Sequence, residues 1–112
     1  MAALFEENRI NGMVLANRFV RSATWEGMAG DDGSVTPRLV DCMAALARGG
    51  VGLIISSHAY VHRNGQAGPM QLGVYSDDLL PGLTAMADAV HQNNGKMVLQ
   101  LAHAGFFADA RL

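Results

Sequence analysis

Residues 96–106 read KMVLQLAHAGF, and what this run builds decides what kind of sheet the chain forms. Residues 97–101 (MVLQL) are a short apolar run of strand length, carrying an amide at Gln100 and followed by His103, Ala104 and Gly105. A run without alternation is the pattern of a strand covered on both faces, as in a parallel sheet, whereas strict alternation would mark a sheet with one face in water. The residues before it agree with that reading. Asn93, Asn94 and Gly95 form a helix stop, and before them Leu83, Met86, Ala87 and Val90 recur at helical spacing behind the start signals Ser76, Asp77, Asp78 and Pro81. A helix feeding a buried strand is half of a βαβ unit.

The same unit appears one step earlier. Thr36 and Pro37 supply an N-cap and an N1 proline, Val40, Met43, Ala44 and Ala47 mark a core face, and Gly49 and Gly50 end the helix. Residues 51–55 (VGLII) follow as a continuous apolar strand, and a polar loop containing Arg63, Asn64 and Gly65 comes after it. Upstream, residues 17–22 (NRFVRS) are β-branched and aromatic enough for a short strand, and residues 28–34 (MAGDDGS) are a loop. The pair Asn11-Gly12 inside residues 5–14 (FEENRINGMV) predicts a β-hairpin. The order is hairpin, β, α, β, α, β, an α/β protein with parallel strands joined by right-handed crossovers. Open doubly wound sheet and closed barrel both accommodate it.

Composition bounds the partners. The 112 residues are 50% hydrophobic, with formal net charge −2. They contain no basic cluster, so nucleic acid and anionic lipid surfaces are not expected as partners. No apolar run approaches the roughly 20 residues that cross a bilayer, and the N-terminus lacks a secretory pattern, so the expectation is a cytoplasmic protein with no membrane association. Cys42 stands alone, in keeping with a reducing compartment, and CMAALARGG reads it as a small core residue on a helix. His58 and His62 are four apart in a segment that reads as strand end and loop, where that spacing does not form a metal pair, and no metal site is expected. Neither ARGGVG nor RNGQAG opens a helix in the manner of a phosphate loop.

Ligands of parallel α/β sheets gather beyond the carboxyl ends of the strands. Here those ends carry Ser22, Ala23 and Thr24, then Ser56, Ser57 and His58, then Gln100 with His103. Taken singly, a Gln or His near a strand end is more commonly a hydrogen-bonded structural residue. The coincidence of all three ends predicts one shared polar floor, without naming its ligand.

Four stretches carry a family resemblance: LFEENRINGMVLANRFVRSAT, ARGGVGLIISSHAYV, QLGVYSDDLLPGLTAMADAVHQNNGK and QLAHAG. They resemble, in the same order, the N-terminal part of the Old Yellow Enzyme family, the FMN-dependent NADH:flavin oxidoreductases and ene-reductases built on a (β/α)8 TIM barrel. The resemblance implies that the hairpin plugs the barrel bottom and that Ser22, Ala23, Thr24 and Trp25 lie against FMN. It places His58 beside the flavin and Gln100 at the polar edge of the isoalloxazine. An amide suits that edge, since its NH2 donates to a flavin carbonyl while its oxygen accepts from the ring N3–H. The implied reaction takes hydride from NADH or NADPH through FMN to an activated alkene or another small-molecule acceptor.

The chain also departs from the family pattern. Trp25 stands where many relatives have a Cys or Thr, Gly27 stands where some ene-reductases have a tyrosine and Glu26 adds a carboxylate those enzymes lack, Phe106 stands where an arginine commonly follows HAG, and His58 stands where the family usually has a small residue. A TIM barrel needs about 250 residues. Residues 1–112 are therefore expected to be the N-terminal fragment of a single FMN-binding TIM-barrel domain, with the hairpin in 1–16 and the first βαβαβ units in 17–112. The barrel would be incomplete, the catalytic residues would lie beyond Leu112, and the fragment would be inactive alone. The competing expectation is a self-contained small α/β binding or interaction module without catalysis.

Overall fold

The computed structural model describes residues 2–112. A single helical turn, α1 (Ala2–Phe5), leads into an antiparallel hairpin of β1 (Asn8–Ile10) and β2 (Met13–Leu15). Asn11 turns the hairpin at φ 54°, a left-handed conformation that asparagine enters more readily than most residues. The main sheet contains three parallel strands in the order β3 (Val20–Arg21), β4 (Leu53–Tyr60) and β5 (Lys96–Ala102). Helix α2 (Pro37–Arg48) connects β3 to β4, and α3 (Leu80–Gln92) connects β4 to β5.

Both helices begin where local chemistry places them. Thr36 Oγ1 accepts from Leu39 N at 3.2 Å and donates to Met28 O, so one hydroxyl caps α2 and ties it to the preceding loop. Ahead of α3, Ser76 Oγ accepts from Asp78 N at 3.3 Å and starts a 3₁₀ turn over Asp77–Leu79 that runs into the helix. The core lies between these helices and one face of the sheet. Leu39, Met43 and Ala47 from α2 meet Ile54 and Ala59 from β4 and Met86 and Val90 from α3, with Ala29 and Leu72 closing the cluster from loops.

Four differences from the sequence expectations have physical causes. Leu39, rather than Val40, is the deepest residue of the first turn of α2. Strand β3 is only two residues long, because Asn17 Oδ1 captures Phe19 N and Asn17 Nδ2 donates to Gly50 O, giving the preceding backbone a local alternative to the ladder. Strand β4 runs past Ile55 to Tyr60, so Ser56, Ser57 and His58 lie inside the strand rather than beyond it. Backbone bonds from Tyr60 N to Leu72 O and from Val74 N to Tyr60 O support this extension. Strand β5 is not covered on both faces. Met97 and Leu99 are half-buried, while Val98 is 41% and Leu101 63% exposed. It is an edge strand: Met97 and Leu99 pack on the helical core, Leu101 beyond them on the same face is uncovered, and Val98 and Gln100 on the other face are exposed.

The register between β4 and β5 shifts between Ile55 and His58. Ser56 sits in that irregularity, fully buried, its Oγ accepting from Gln100 N at 3.0 Å and donating to Ser57 O at 2.7 Å. The hydroxyl thus satisfies the amide that the shifted ladder leaves over.

Tyr60 anchors the carboxyl end of β4. It is 1% exposed, and its ring stacks on Tyr75 with centroids 5.2 Å apart. Tyr75 in turn donates to Asp32 O at 2.7 Å, and the Arg63 guanidinium lies 4.8 Å from the Tyr75 centroid. Gly33 has φ +84°, and a Cβ there would lie 2.6 Å from Tyr60 Oη. Only glycine supplies both that conformation and that space.

Two measurements test this packing. Leu39→Ala should lower the unfolding free energy by about 2–5 kcal/mol, read from the urea midpoint at unchanged m-value. Burial, with neighbouring Tyr75 as the second cause, pushes the Tyr60 phenol from 10.0 up to about 12. In the unfolded chain the phenol ionises first, so its contribution to stability is complete below pH 10.0 and is lost as pH rises to about 12. The urea midpoint should fall across that window, and Tyr60→Phe should flatten the fall.

Candidate functional site

The site is assembled where the chain leaves β3. Arg21, the last residue of that strand, donates from Nη1 to Ile55 O at 3.0 Å and from Nη2 to Thr24 O at 3.3 Å. The same Nη2 reaches Glu26 Oε2 at 3.2 Å, and Glu26 Oε1 accepts from Ser57 Oγ at 3.1 Å. The Arg21 and Glu26 side chains are only 16% and 9% exposed. Between these two charges lie residues 22–25. Ser22 and Thr24 are exposed, Ala23 is half-buried, and Thr24 Oγ1 donates to Ser22 O at 3.0 Å.

Trp25 closes the segment, and 52% of it is exposed. Its indole lies against Gly27, whose φ is +63° and at which a Cβ would stand 3.0 Å from Trp25 Cζ2. Trp25 forms one side of a cleft of about 350 Å³, and His58, Ala67, Gly68, Pro69 and Gln71 form the rest. The loop over residues 66–71 is fastened to β4 by Gln71, which is 1% exposed. Gln71 Oε1 accepts from Ala67 N at 2.7 Å, and its Nε2 donates to His58 O at 3.1 Å.

His58 is half-buried and pairs in register with Gln100 of β5. Gln100 is exposed, its backbone N–H is taken by Ser56 Oγ, and its side-chain amide has no hydrogen-bond partner among the described residues. An uncommitted amide beside an imidazole, with an indole across the cleft, can hold a flat ligand that has a donor and an acceptor on one edge.

The expected shared floor is therefore built from part of the expected set. Trp25 and His58 line one cleft, Gln100 adjoins His58 on the neighbouring strand, and residues 22–24 lead into Trp25. Ser56 and Ser57 turn to the ladder and to Glu26. His103 does not join the floor. Its Nδ1 accepts from Gly105 N at 3.0 Å, and its ring packs on Gly65, where a Cβ would come within 2.5 Å of it. His62 likewise makes a local bond, accepting from Asn64 N at 3.1 Å. Among the described residues no cluster of three His, Cys, Asp or Glu is placed to hold a metal ion, and no helix is long and apolar enough to cross a membrane.

Arg21, Glu26 and Gln71 were not anticipated as site residues. Opposite charges five apart on either side of residues 22–25 were visible in the sequence, but their partners Ile55 and Ser57 come from a strand more than 30 residues away. Gln71 gave no signal, since a glutamine in a Gly- and Pro-containing loop reads as solvent-facing.

Comparison with known proteins follows the same geometry. The chain is 41% identical over 103 residues to an NADH oxidase of Thermoanaerobacter brockii, covering 91% of this chain and 16% of the relative. An NADPH dehydrogenase of Halalkalibacterium halodurans is 36% identical over 107 residues, covering 95% and 32% respectively. Among solved structures, a 2-naphthoyl-CoA reductase in complex with 2-naphthoyl-CoA superposes with TM-score 0.93 at 27% identity, over 97% of this chain and 17% of that one. The fold is also that of an Old Yellow Enzyme from Pichia sp., with TM-score 0.90 at 20% identity over 96% and 28%. The chain thus spans about a sixth to a third of these proteins, on their N-terminal part, and its three-stranded parallel sheet is a portion of their TIM barrel. Residues 3–111 match the NADH:flavin oxidoreductase / NADH oxidase family, and the chain belongs to it.

Proposed function

We propose that the protein carrying this chain is an FMN-dependent NAD(P)H oxidoreductase, and that Ser22, Ala23, Thr24, Trp25, His58 and Gln100 form one wall of its flavin site. The observation that carries this reading is the exposed amide of Gln100, without a hydrogen-bond partner among the described residues and in register with His58 at the carboxyl end of the sheet. Such an amide matches the pyrimidine-like edge of a flavin, which presents carbonyl acceptors and one N–H donor. The indole of Trp25 offers an apolar plane across the cleft, and the carboxylate of Glu26 is committed to Arg21 and Ser57 rather than turned toward an electron-rich ring. When bound, FMN supplies hydride transfer from a nicotinamide to an activated alkene or another small-molecule acceptor. Relatives named for NADH and for NADPH both support writing the reductant as NAD(P)H.

The residues of this chain bind and orient in this reading. Gln100 fixes the polar edge, Trp25 and His58 set the width of the cleft, and residues 22–24 lie along the flavin. None of them is assigned a catalytic role. Residues 1–112 form, in this proposal, the first part of a single FMN-binding barrel domain, with the hairpin segment in 1–16 and the βαβαβ units in 17–112. Val98, Leu101 and Val20 on the open sheet, exposed by 41%, 63% and 50%, support a larger domain around them.

Gln100→Leu in the full-length protein should weaken FMN retention by about tenfold, the equivalent of ~1.4 kcal/mol for a lost directional hydrogen bond, or should shift the flavin reduction potential. Equilibrium dialysis and a spectroelectrochemical titration read the two quantities. Wild-type values for both would reject the role.

A further inference from the structure

The placement of Glu26 goes beyond a generic ion pair. Residues 22–25 are bracketed by two charges, Arg21 at the end of β3 and Glu26 immediately after Trp25, joined at 3.2 Å. The bracket is bolted to the neighbouring strand at two points, through Arg21 Nη1 to Ile55 O and through Ser57 Oγ to Glu26 Oε1. A third bond, from Arg21 Nη2 to Thr24 O, pins the segment from within.

Burial of both side chains carries a desolvation penalty that an apolar pair of similar volume would avoid, so stability alone is a poor reason for the arrangement. What charged, directional partners provide is a single geometry. The residue whose position follows most directly from that geometry is Trp25, adjacent to Glu26 in sequence. Its own side chain makes no hydrogen bond among the described residues, and its indole is held sterically, resting on Gly27, where the φ of +63° and the missing Cβ leave it room.

We infer that Glu26, through its bonds to Arg21 and Ser57, is a positioning residue that locks Trp25 as the fixed side of the cleft shared with His58. This deepens the flavin-wall reading and rests on it for the identity of the ligand, but the mechanical coupling of Glu26 to Trp25 stands on the contacts above. Glu26→Gln is the diagnostic change, since it keeps the volume and can still bond Ser57 while removing the charge that holds Arg21. The clamp then opens on one side, and the loop carrying Trp25 gains freedom.

The experiment uses the full-length protein labelled with 5-fluorotryptophan, the Trp25 resonance being the one lost in Trp25→Phe. Glu26→Gln should shift and broaden that ¹⁹F resonance, and Ser57→Ala, which removes one donor only, should move it in the same sense by less. Weaker FMN retention in Glu26→Gln, vanishing as a separate effect in the Trp25→Phe background, would show that the clamp acts through the indole. A purely structural role would lower the urea midpoint and leave the Trp25 resonance where it is, and an unmoved resonance in folded Glu26→Gln and Ser57→Ala proteins would overturn the inference. A moved resonance with FMN retention unchanged in both Trp25→Phe and Glu26→Gln would support the clamp and overturn the assignment of Trp25 to the flavin wall, so the two failures are distinct.

Discussion

Parallel pairing of β4 with β5 is the constraint from which the rest of the molecule follows. Two parallel neighbours cannot be joined by a tight turn, so the chain must cross back over the sheet, and the cheapest crossover is a helix whose apolar stripe meets the strands. Repeating this twice places α2 and α3 against the same core of Ile54, Ala59, Met97 and Leu99. It also points every strand end the same way. The site exists because the three carboxyl ends have no choice but to emerge together. On the face of β5 turned away from the helices Val98 and Gln100 are exposed, whereas parallel sheets are ordinarily covered on both faces. That agrees with a chain that spans only 16% to 32% of the length of its relatives.

Within this frame the irregularity in β4 matters as much as the regular ladder. Without it, Ser56, Ser57 and His58 would continue the strict alternation of the strand and pair without interruption. The shift instead lets Ser56 absorb the amide of Gln100, frees Ser57 to reach Glu26, and brings His58 beside Gln100. Three consecutive polar residues in an otherwise apolar strand thus take three different tasks: ladder repair, loop clamp and cleft wall. A single hydroxyl at Ser56 connects the backbone that carries Gln100 to the strand that carries the other two.

What was legible in the sequence was local. The N-cap at Thr36, the stop at Asn93, Asn94 and Gly95, the hairpin turn at Asn11 and the core faces of both helices depend on neighbours within a few residues, and those were read correctly in type. The extent of β4 and the exposure of β5 depend on what lies beside each strand, which a hydropathy pattern does not contain. For the same reason His103 was read as part of the floor, although its ring is drawn to Gly65 by packing across two loops. Glu26 shows the limit most clearly. The sequence marked it only as a carboxylate beside Trp25, and its contacts required Ser57 and Arg21 to be in place.

The charge arrangement also bears on the kind of recognition proposed for the cleft. Arg21 and Glu26 neutralise each other below the surface, and the groups left at the cleft and beside it are the indole of Trp25, the imidazole of His58 and the amide of Gln100. Dipoles of this sort discriminate by direction and shape, whereas a net charge would attract any counter-ion. A flat ligand with delocalised electrons is held by such a surface without a fixed charge imposed on it, and its properties can then be tuned by hydrogen-bond direction at one edge and by the distance of an aromatic plane at another. In the proposed flavin wall Gln100 controls the first and Trp25 the second. In the positioning proposal Trp25 and Glu26 therefore work as a pair, the carboxylate holding, through Arg21 and Ser57, the segment that carries the bulky wall.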